Sequence, residues 1–399
     1  MCAYQKAASP NPILIALRRT LFLWAFPFTF LMFGLPIYSK ALGASALAIG
    51  GMFSTFTVAT LLARPAVGWV VDHWGRKGVF TSALLIYAGA MAVYAFSASI
   101  SAFYLANAIQ GVGSALLWIS ANTMIADAVP PGQRGSALGS LDQNISRGGL
   151  VGVFAGFILL SFLPERTAWP LVFSGYTLTT LAAALVSWRR LPETLPVYDT
   201  PPPSARTISP TFARLLVVVF VTGASEAMLA PVYLIFLQDR FTTEIEILAW
   251  AFFPAGLVFA LLGTRLGGLS DRFGRTPVLA AGIAGSGLLS LLLPSLPSVV
   301  WLAVLYALSA VAWAVSEPAE ASLVAELSNQ RQRGMGFGIY DFVNNLGMAA
   351  GPLLGGFLYD NFSQAAPFYL NGAILLLSAL WVITVLGSKK VPYITKVYD

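Results

Sequence analysis

The sequence predicts an all-α membrane protein: twelve transmembrane helices in two six-helix bundles related by a parallel pseudo-two-fold repeat. Three observations carry that prediction: a composition too apolar for water, twelve evenly spaced apolar runs, and a set of residues that returns at a constant offset. Of the 399 residues, 57% are hydrophobic and only 10% charged, against roughly 25% charged in a soluble domain. A bilayer span takes about 20 residues, so twelve spans with short connections use nearly the whole chain. A soluble globular fold is excluded, and little is left for an extramembrane domain.

The apolar runs, bounded by charge or turn residues, fall at about 20–38, 46–70, 79–97, 101–125, 137–162, 168–188, 213–237, 247–269, 277–295, 299–324, 334–358 and 366–387. The first follows Arg18 and Arg19 as a signal peptide would, but it continues to Tyr38 without a convincing cleavage site and is read as a span. Between spans six and seven, Arg189 to Phe212 contains Pro201, Pro202 and Pro203 among Ser, Thr and Arg, a structure-breaking linker. The expected organisation is an N-terminal bundle over 1–188, a cytoplasmic linker over 189–212 and a C-terminal bundle over 213–399.

The net charge of +6 does not point to nucleic acid, because Lys and Arg occur singly or in pairs between apolar runs rather than in a basic stripe. They read as topology signals and contacts to anionic lipid. With the N-terminus in the cytoplasm, Lys40, Arg166 and Arg240 fall outside and Arg147 lies within a span, which leaves 19 of the 23 basic residues on the cytoplasmic side. The positive-inside rule thus predicts that both termini are cytoplasmic. One cysteine, Cys2, and one histidine, His73, predict no disulfide and no metal site.

The two bundles repeat. Asp72 returns as Asp271, Gly75 and Arg76 as Gly274 and Arg275, Asp127 as Glu326, Arg134 as Arg333, Gly139 as Gly338 and Asp142 as Asp341, always 199 residues later. Around spans one and seven the match of Pro36, Ile37 and Tyr38 to Pro231, Val232 and Tyr233 gives 195. An even number of spans separates the copies, so the repeat is parallel, and folds of this kind place the substrate site between the repeats near mid-bilayer.

The loop after span two reads GWVVDHWGRK from Gly68, and its copy after span eight reads GGLSDRFGRT from Gly267. Glycines allow a tight turn, an aspartate suits a helix N-terminus, and Arg76 with Lys77 obeys the inside rule. Both copies resemble the cytoplasmic signature of the major facilitator superfamily, and the resemblance covers nearly the entire chain. It implies the major facilitator fold and a cytoplasmic gate built from Gly68, Asp72, Gly75, Arg76, Lys77, Asp271, Gly274 and Arg275, in which Asp72 and Arg76 latch the first bundle to span eleven. The bland alternative is a short basic turn that only fixes topology. The overall likeness is to the proton-coupled drug and metabolite exporters. Two positions depart from that branch: its Gly-Pro motif of span five appears instead as Gly351 and Pro352 in span eleven, with Val153 at the matching place in span five, and Asn107 stands where an arginine precedes the Gln110–Gly111 pair.

The glycines of span five, Gly148, Gly152 and Gly156, and Gly347, Gly351 and Gly355 of span eleven recur every four positions, with Gly356 beside the last, which suits close helix approach or a hinge. Glu226 lies midway along span seven, and Glu317 and Glu320 one turn apart in span ten. A charge at bilayer centre costs at least ~2.5–3.5 kcal/mol on insertion scales, so these carboxylates must be paired, hydrated or protonated. That chemistry suits proton carriers; the alternative is a set of fixed hydrogen bonds needed for folding. Pro318 follows Glu317 and frees the Ala314 carbonyl, a candidate kink beside the acid. Arg147 is either an interior cation, facing a carboxylate or an anionic substrate group, or an arginine snorkelling to the headgroups. Asn107, Trp118, Asn122, Trp313, Asn344 and Asn345 supply the aromatic walls and sparse polar points of a cavity for an amphipathic organic molecule.

No nucleotide-binding motif is present, so the expectation is a transporter rather than an enzyme, without cofactor and driven by a proton gradient. It would be a monomer in the bacterial inner membrane, exporting a small organic or amphipathic molecule by alternating access, with lipid as its surroundings and no nucleic-acid partner. The rivals are a passive facilitator or proton symporter for a sugar, siderophore or other metabolite, and a receptor that keeps the fold without transport.

Overall fold

At bilayer depth no water is available to the backbone, so each apolar run closes its own hydrogen bonds and becomes a helix. The computed structural model describes residues 11–129, 134–194, 209–241, 244–267, 269–327 and 333–386, and every regular element among them is helical. The twelve long helices are α1 (Pro12–Ala41), α2 (Ala46–Trp74), α3 (Arg76–Phe96), α4 (Ile100–Ala128), α5 (Arg134–Phe162), α6 (Glu165–Arg190), α7 (Pro210–Arg240), α8 (Ile245–Gly267), α9 (Arg275–Leu292), α10 (Val299–Leu327), α11 (Arg333–Asn361) and α12 (Ala366–Trp381). A five-residue helix, Leu269–Phe273, precedes α9, and a π-helical turn, Val382–Leu386, extends α12. Among the described residues, ten helices are long and apolar enough to cross a bilayer. Pro27, Pro36, Pro231, Pro254 and Pro318 all sit inside helices that continue past them.

Two compact units form: Met1–Ala44 with Gly51–Pro203, and Ser45–Gly50 with Ser204–Asp399. In the first, α1 packs on α5 and α3 on α4 and α6; in the second, α7 packs on α11 and α9 on α10 and α12. Apolar lipid gives apolar helices little reason to associate, so close packing must hold them, and glycines permit it. On α5, a Cβ at Gly148 would strike the Phe22 carbonyl and one at Gly152 the Phe26 backbone, while Gly156 lies against Phe30 and Tyr176. On α11, Gly347, Gly351 and Gly355 meet the carbonyls of Phe220, Ala224 and Met228 in the same way. The second row follows the first by 199 residues, so one packing device serves both units. In the second unit, too, Asp360 at the end of α11 accepts the backbone N–H groups of Ala46 and Leu47 at 3.2 and 2.8 Å, a carboxylate set on a helix N-terminus.

The offset between α1 and α7 needs correction. The glycine rows pair Phe22 with Phe220, Phe26 with Ala224 and Phe30 with Met228, each 198 residues apart. The helix starts agree: Asn11 caps α1 with Pro12 in its first turn, and Ser209 caps α7 with Pro210 in its first turn. The 195 suggested by Pro36–Tyr38 is one helical turn away. A three-residue match tolerates a shift of nearly one turn because the same face stays turned to the neighbour.

Aromatic clusters fill the units. Phe30, Trp169, Phe173 and Tyr176 meet in the first, with Tyr38 stacked on Trp169 at 4.4 Å between ring centres. Tyr233, Phe252 and Tyr306 form the counterpart in the second.

Candidate functional site

The intramembrane acids gather in the second unit. On α10 the spacing of Trp313, Glu317 and Glu320 by four and three residues puts them on one helical face. Across from it, Glu226 of α7 accepts a hydrogen bond from Trp313, and the charges of Glu317 and Glu320 are close enough to repel its carboxylate. Glu320 accepts a hydrogen bond from the Tyr340 hydroxyl of α11 at 2.8 Å. Glu226 and Glu317 lie on the exposed side of the unit rather than in its packed interior. These carboxylates are met by an indole and a phenol, with no metal cluster among the described residues.

Local structure decides which neighbours take part. Asn344 lies against Gly223, one turn before Glu226, so it belongs to the α7–α11 contact. Asn345, the next residue, turns its amide back to the Asp341 carbonyl at 2.6 Å; the structure thus spends this predicted cavity residue on its own helix. Pro318 sits between the two acids of α10 without ending the helix.

Two contributors were missed in the sequence. Tyr340 carried no signal, being one tyrosine in an amphipathic stretch. Asn371 of α12, 2% exposed, donates to the backbone carbonyl and hydroxyl of Ser225 at 2.7 and 2.9 Å; it fixes the turn of α7 that carries Glu226. A lone amide in an apolar span was the available signal. Asn371→Leu is expected to lower stability by roughly 1–3 kcal/mol, because Ser225 Oγ is left buried without that partner. The thermal unfolding midpoint of the purified protein checks it, with the exposed Asn361→Ala as the comparison expected to change little.

The first unit carries the remaining cavity candidates. Asn107 is buried, with its amide nitrogen donating to Phe103 of its own helix at 2.9 Å. Trp118 stands edge-on to Trp24 at 5.7 Å. Asn122 and Arg147 are exposed, the latter beside Gly148 of the packed α1–α5 seam.

At the predicted cytoplasmic gate, Gly75 and Gly274 have φ of +87° and +89°, a region glycine enters without strain. Arg76, 3% exposed, is bound inside its own unit: Nε meets Asp127 Oδ2 at 3.1 Å, and another guanidinium nitrogen donates to the Val71 carbonyl at 3.1 Å. In the second unit Arg275 pairs with Glu326 and donates to the Ser322 carbonyl at 3.2 Å. The repeated pairs Arg76–Asp127 and Arg275–Glu326 are therefore bonded partners, a role the sequence offset held without revealing. The side chains of Asp72 and Asp271 lie outside the described residues. Gly68 has open space around its Cα, and Lys77 sits over the Trp188 ring at 5.8 Å. Glu193, unforeseen because it is 117 residues from Arg76, accepts the first backbone N–H groups of α3 at Arg76 and Lys77, 2.8 and 3.2 Å away.

Known proteins show the same architecture. The sequence profile of the Major Facilitator Superfamily matches residues 20–214 and 215–395. Multidrug resistance protein MdtG of Klebsiella pneumoniae (strain 342) is 25% identical over 90% of each chain. Multidrug resistance protein 2 of Bacillus subtilis (strain 168) is 23% identical over 86% of this chain and 87% of its own. Among solved structures, the nucleoside transporter NupG superposes with a TM-score of 0.77 at 14% identity, over 94% of this chain and 99% of its own. The human organic anion transporter MFSD10 (TETRAN) superposes with a TM-score of 0.69 at 21% identity, over 94% of this chain and all of its own.

Twelve helices in two repeated six-helix sets, with acids at membrane depth and a doubled glycine-arginine turn, define a multi-pass membrane transporter. The chain belongs to the major facilitator superfamily.

Proposed function

We propose that this protein is a secondary active transporter that works by alternating access and couples proton entry to export of a small organic or amphipathic molecule. The observation that carries the proposal is the cluster of Glu226, Glu317 and Glu320 with Trp313 and Tyr340. Carboxylates crowded together at membrane depth are costly when all are charged, so binding a proton relieves the cluster and releasing it restores the repulsion. A group with that property can tie a proton gradient to a conformational cycle. The multidrug resistance proteins among the relatives support export of an organic cargo. In this reading the protein is a monomer of the bacterial inner membrane with both termini in the cytoplasm, and it needs no cofactor beyond the gradient. Asn107, Trp118, Asn122, Arg147 and Trp313 serve the cargo, and the glycine-arginine turns form the cytoplasmic gate.

The test is proton flux in liposomes carrying a pH-sensitive dye, challenged with cationic, neutral and anionic amphiphiles. Wild type is expected to move protons when substrate is added, and Glu226→Gln or Glu317→Gln to lose that movement, since an amide carries no exchangeable carboxyl proton. Substrate flux that proceeds in wild type without proton movement would show a facilitator or another coupling ion and overturn the proposal.

A further inference from the structure

We infer that the second unit seats one acyl chain of an anionic phospholipid in an apolar groove, with the exposed Arg272 at the level of its phosphate. The groove has a volume of about 310 Å³ and lies between the five-residue helix Leu269–Phe273 and the helices α9 and α10; its walls are Leu269, Phe273, Pro277, Val278, Ala281 and Val315. The inference needs the chain only to span a bilayer and is independent of the transport reading.

In the first unit the same seam is filled. There α2 runs unbroken to Trp74 and brings Val67, Val70 and Val71 against Val79 of α3 and against Ala115 and Leu116 of α4. Val67, Val71, Val79 and Ala115 are each no more than 4% exposed. In the second unit α8 stops at Gly267 and the short helix starts at Leu269. At the shared offset of 199 residues, Ser270 stands for Val71 and Val315 for Leu116, each a loss of apolar volume. Phe273 does not close the gap, being 70% exposed. Protein interiors hold few voids larger than a water molecule, so a space of this size, packed in one copy and open in its repeat, calls for an occupant.

Position and chemistry select that occupant. Both α9 and α10 are long and apolar enough to span a bilayer, and from Arg275, where α9 starts, to the wall residue Ala281 the helix rises about 9 Å. At that depth the surrounding solvent is lipid. None of the six walls carries a polar side chain, so water gains no partners there, and an apolar cavity of roughly half this volume stays dry and takes up benzene. A cargo site needs a few convergent polar groups, which these walls lack. Charge supplies the headgroup preference: residues 265–275 carry Arg265, Arg272 and Arg275 against the single acid Asp271, and Arg275 is already paired with Glu326 of α10. Arg272 is exposed next to the wall residue Phe273, where a guanidinium can meet phosphate oxygens.

The experiment photolabels the full chain in nanodiscs with phosphatidylglycerol or phosphatidylcholine that carries a diazirine a few carbons into one acyl chain, and maps the adducts by peptide mass spectrometry. Residues 269–281 are expected to collect several times the adducts of the matching stretch 70–82 in the first unit, and about fivefold more from phosphatidylglycerol than from phosphatidylcholine. Arg272→Gln should remove the preference between the lipids. Ala281→Phe, which fills the groove from an exposed position of α9, should bring the labelling down to that of 70–82. Val315→Leu, which restores the residue of the first unit, is expected to lower it in the same direction and stands in should Ala281→Phe fail to fold. Equal labelling of the two stretches in wild type, no preference between the lipids, a preference that survives Arg272→Gln, or labelling indifferent to the groove-filling changes would overturn the inference. So would displacement by added amphiphiles but not by unlabelled phosphatidylglycerol, which marks a cargo groove, or a dimer lost in Ala281→Phe, which gives the groove to a second copy. Failure of proton coupling in the flux assay leaves this result standing.

Discussion

Asp127→Asn is expected to destabilise the protein by about 3–5 kcal/mol, the usual consequence of removing one partner from a buried ion pair. The Arg76 and Asp127 side chains are 3% and 7% exposed. Arg76 keeps its charge whatever Asp127 becomes, because a guanidinium does not give up its proton in a protein. With Asn in place the Nε hydrogen bond can persist, but the positive charge stays desolvated without its counter-charge. The equivalent change in the second unit, Glu326→Gln, is expected to cost no more than about 1 kcal/mol. Its pair is 30% and 39% exposed, so water and salt already screen it. Thermal unfolding of both variants, followed by fluorescence-detected size exclusion, gives the comparison. Equal losses would show that the first pair is not desolvated as the structure has it. The double replacement Arg76→Met with Asp127→Leu should recover part of the loss, since a well-packed apolar pair often replaces a buried ion pair at little cost.

Gly152→Ala is the second large effect. A single methyl there overlaps the backbone of Phe26, and backbone cannot swing aside as a side-chain tip does. Helices α1 and α5 must separate along the seam, and overpacking of this kind costs roughly 1–3 kcal/mol, more for valine. Gly351→Ala meets the Ala224 carbonyl in the other unit and should behave alike. Gly175→Ala, on α6 with open space around it, supplies the control and should be neutral in stability and yield. Were Gly175→Ala and Gly152→Ala equally harmful, helix flexibility rather than packing would be the reason. The two rows of glycine are thus structural seams within each unit, the reading that spacing alone left level with a hinge.

Much of the architecture was legible because it is written locally. Hydropathy along the chain depends only on each residue and its neighbours, and a bilayer punishes any break in it, so the spans matched their helices closely except where α1 begins eight residues earlier, at Pro12. The offset of 199 was legible because both copies keep the same spacing between the starts of the third, fourth and fifth helices and their counterparts. Glu226, Glu317 and Glu320 stood out because an acid at membrane depth is rare.

The partners of those groups were not legible. Tyr340 binds a residue 20 positions away, Asn371 binds one 146 away, and Glu193 reaches across 117 residues to start α3. Asn344 and Asn345 are adjacent, yet one faces Gly223 and the other its own helix. In apolar spans the rotation of each helix about its axis has almost no amphipathic signature, as the weak periodicity of α4 and α10 illustrates. The sequence alone determined the number of spans, their repetition and the presence of acids among them, because those follow from solvation of single residues. Only the tertiary structure decided which side chains meet, because that depends on helix rotation and on close glycine contacts that act between helices.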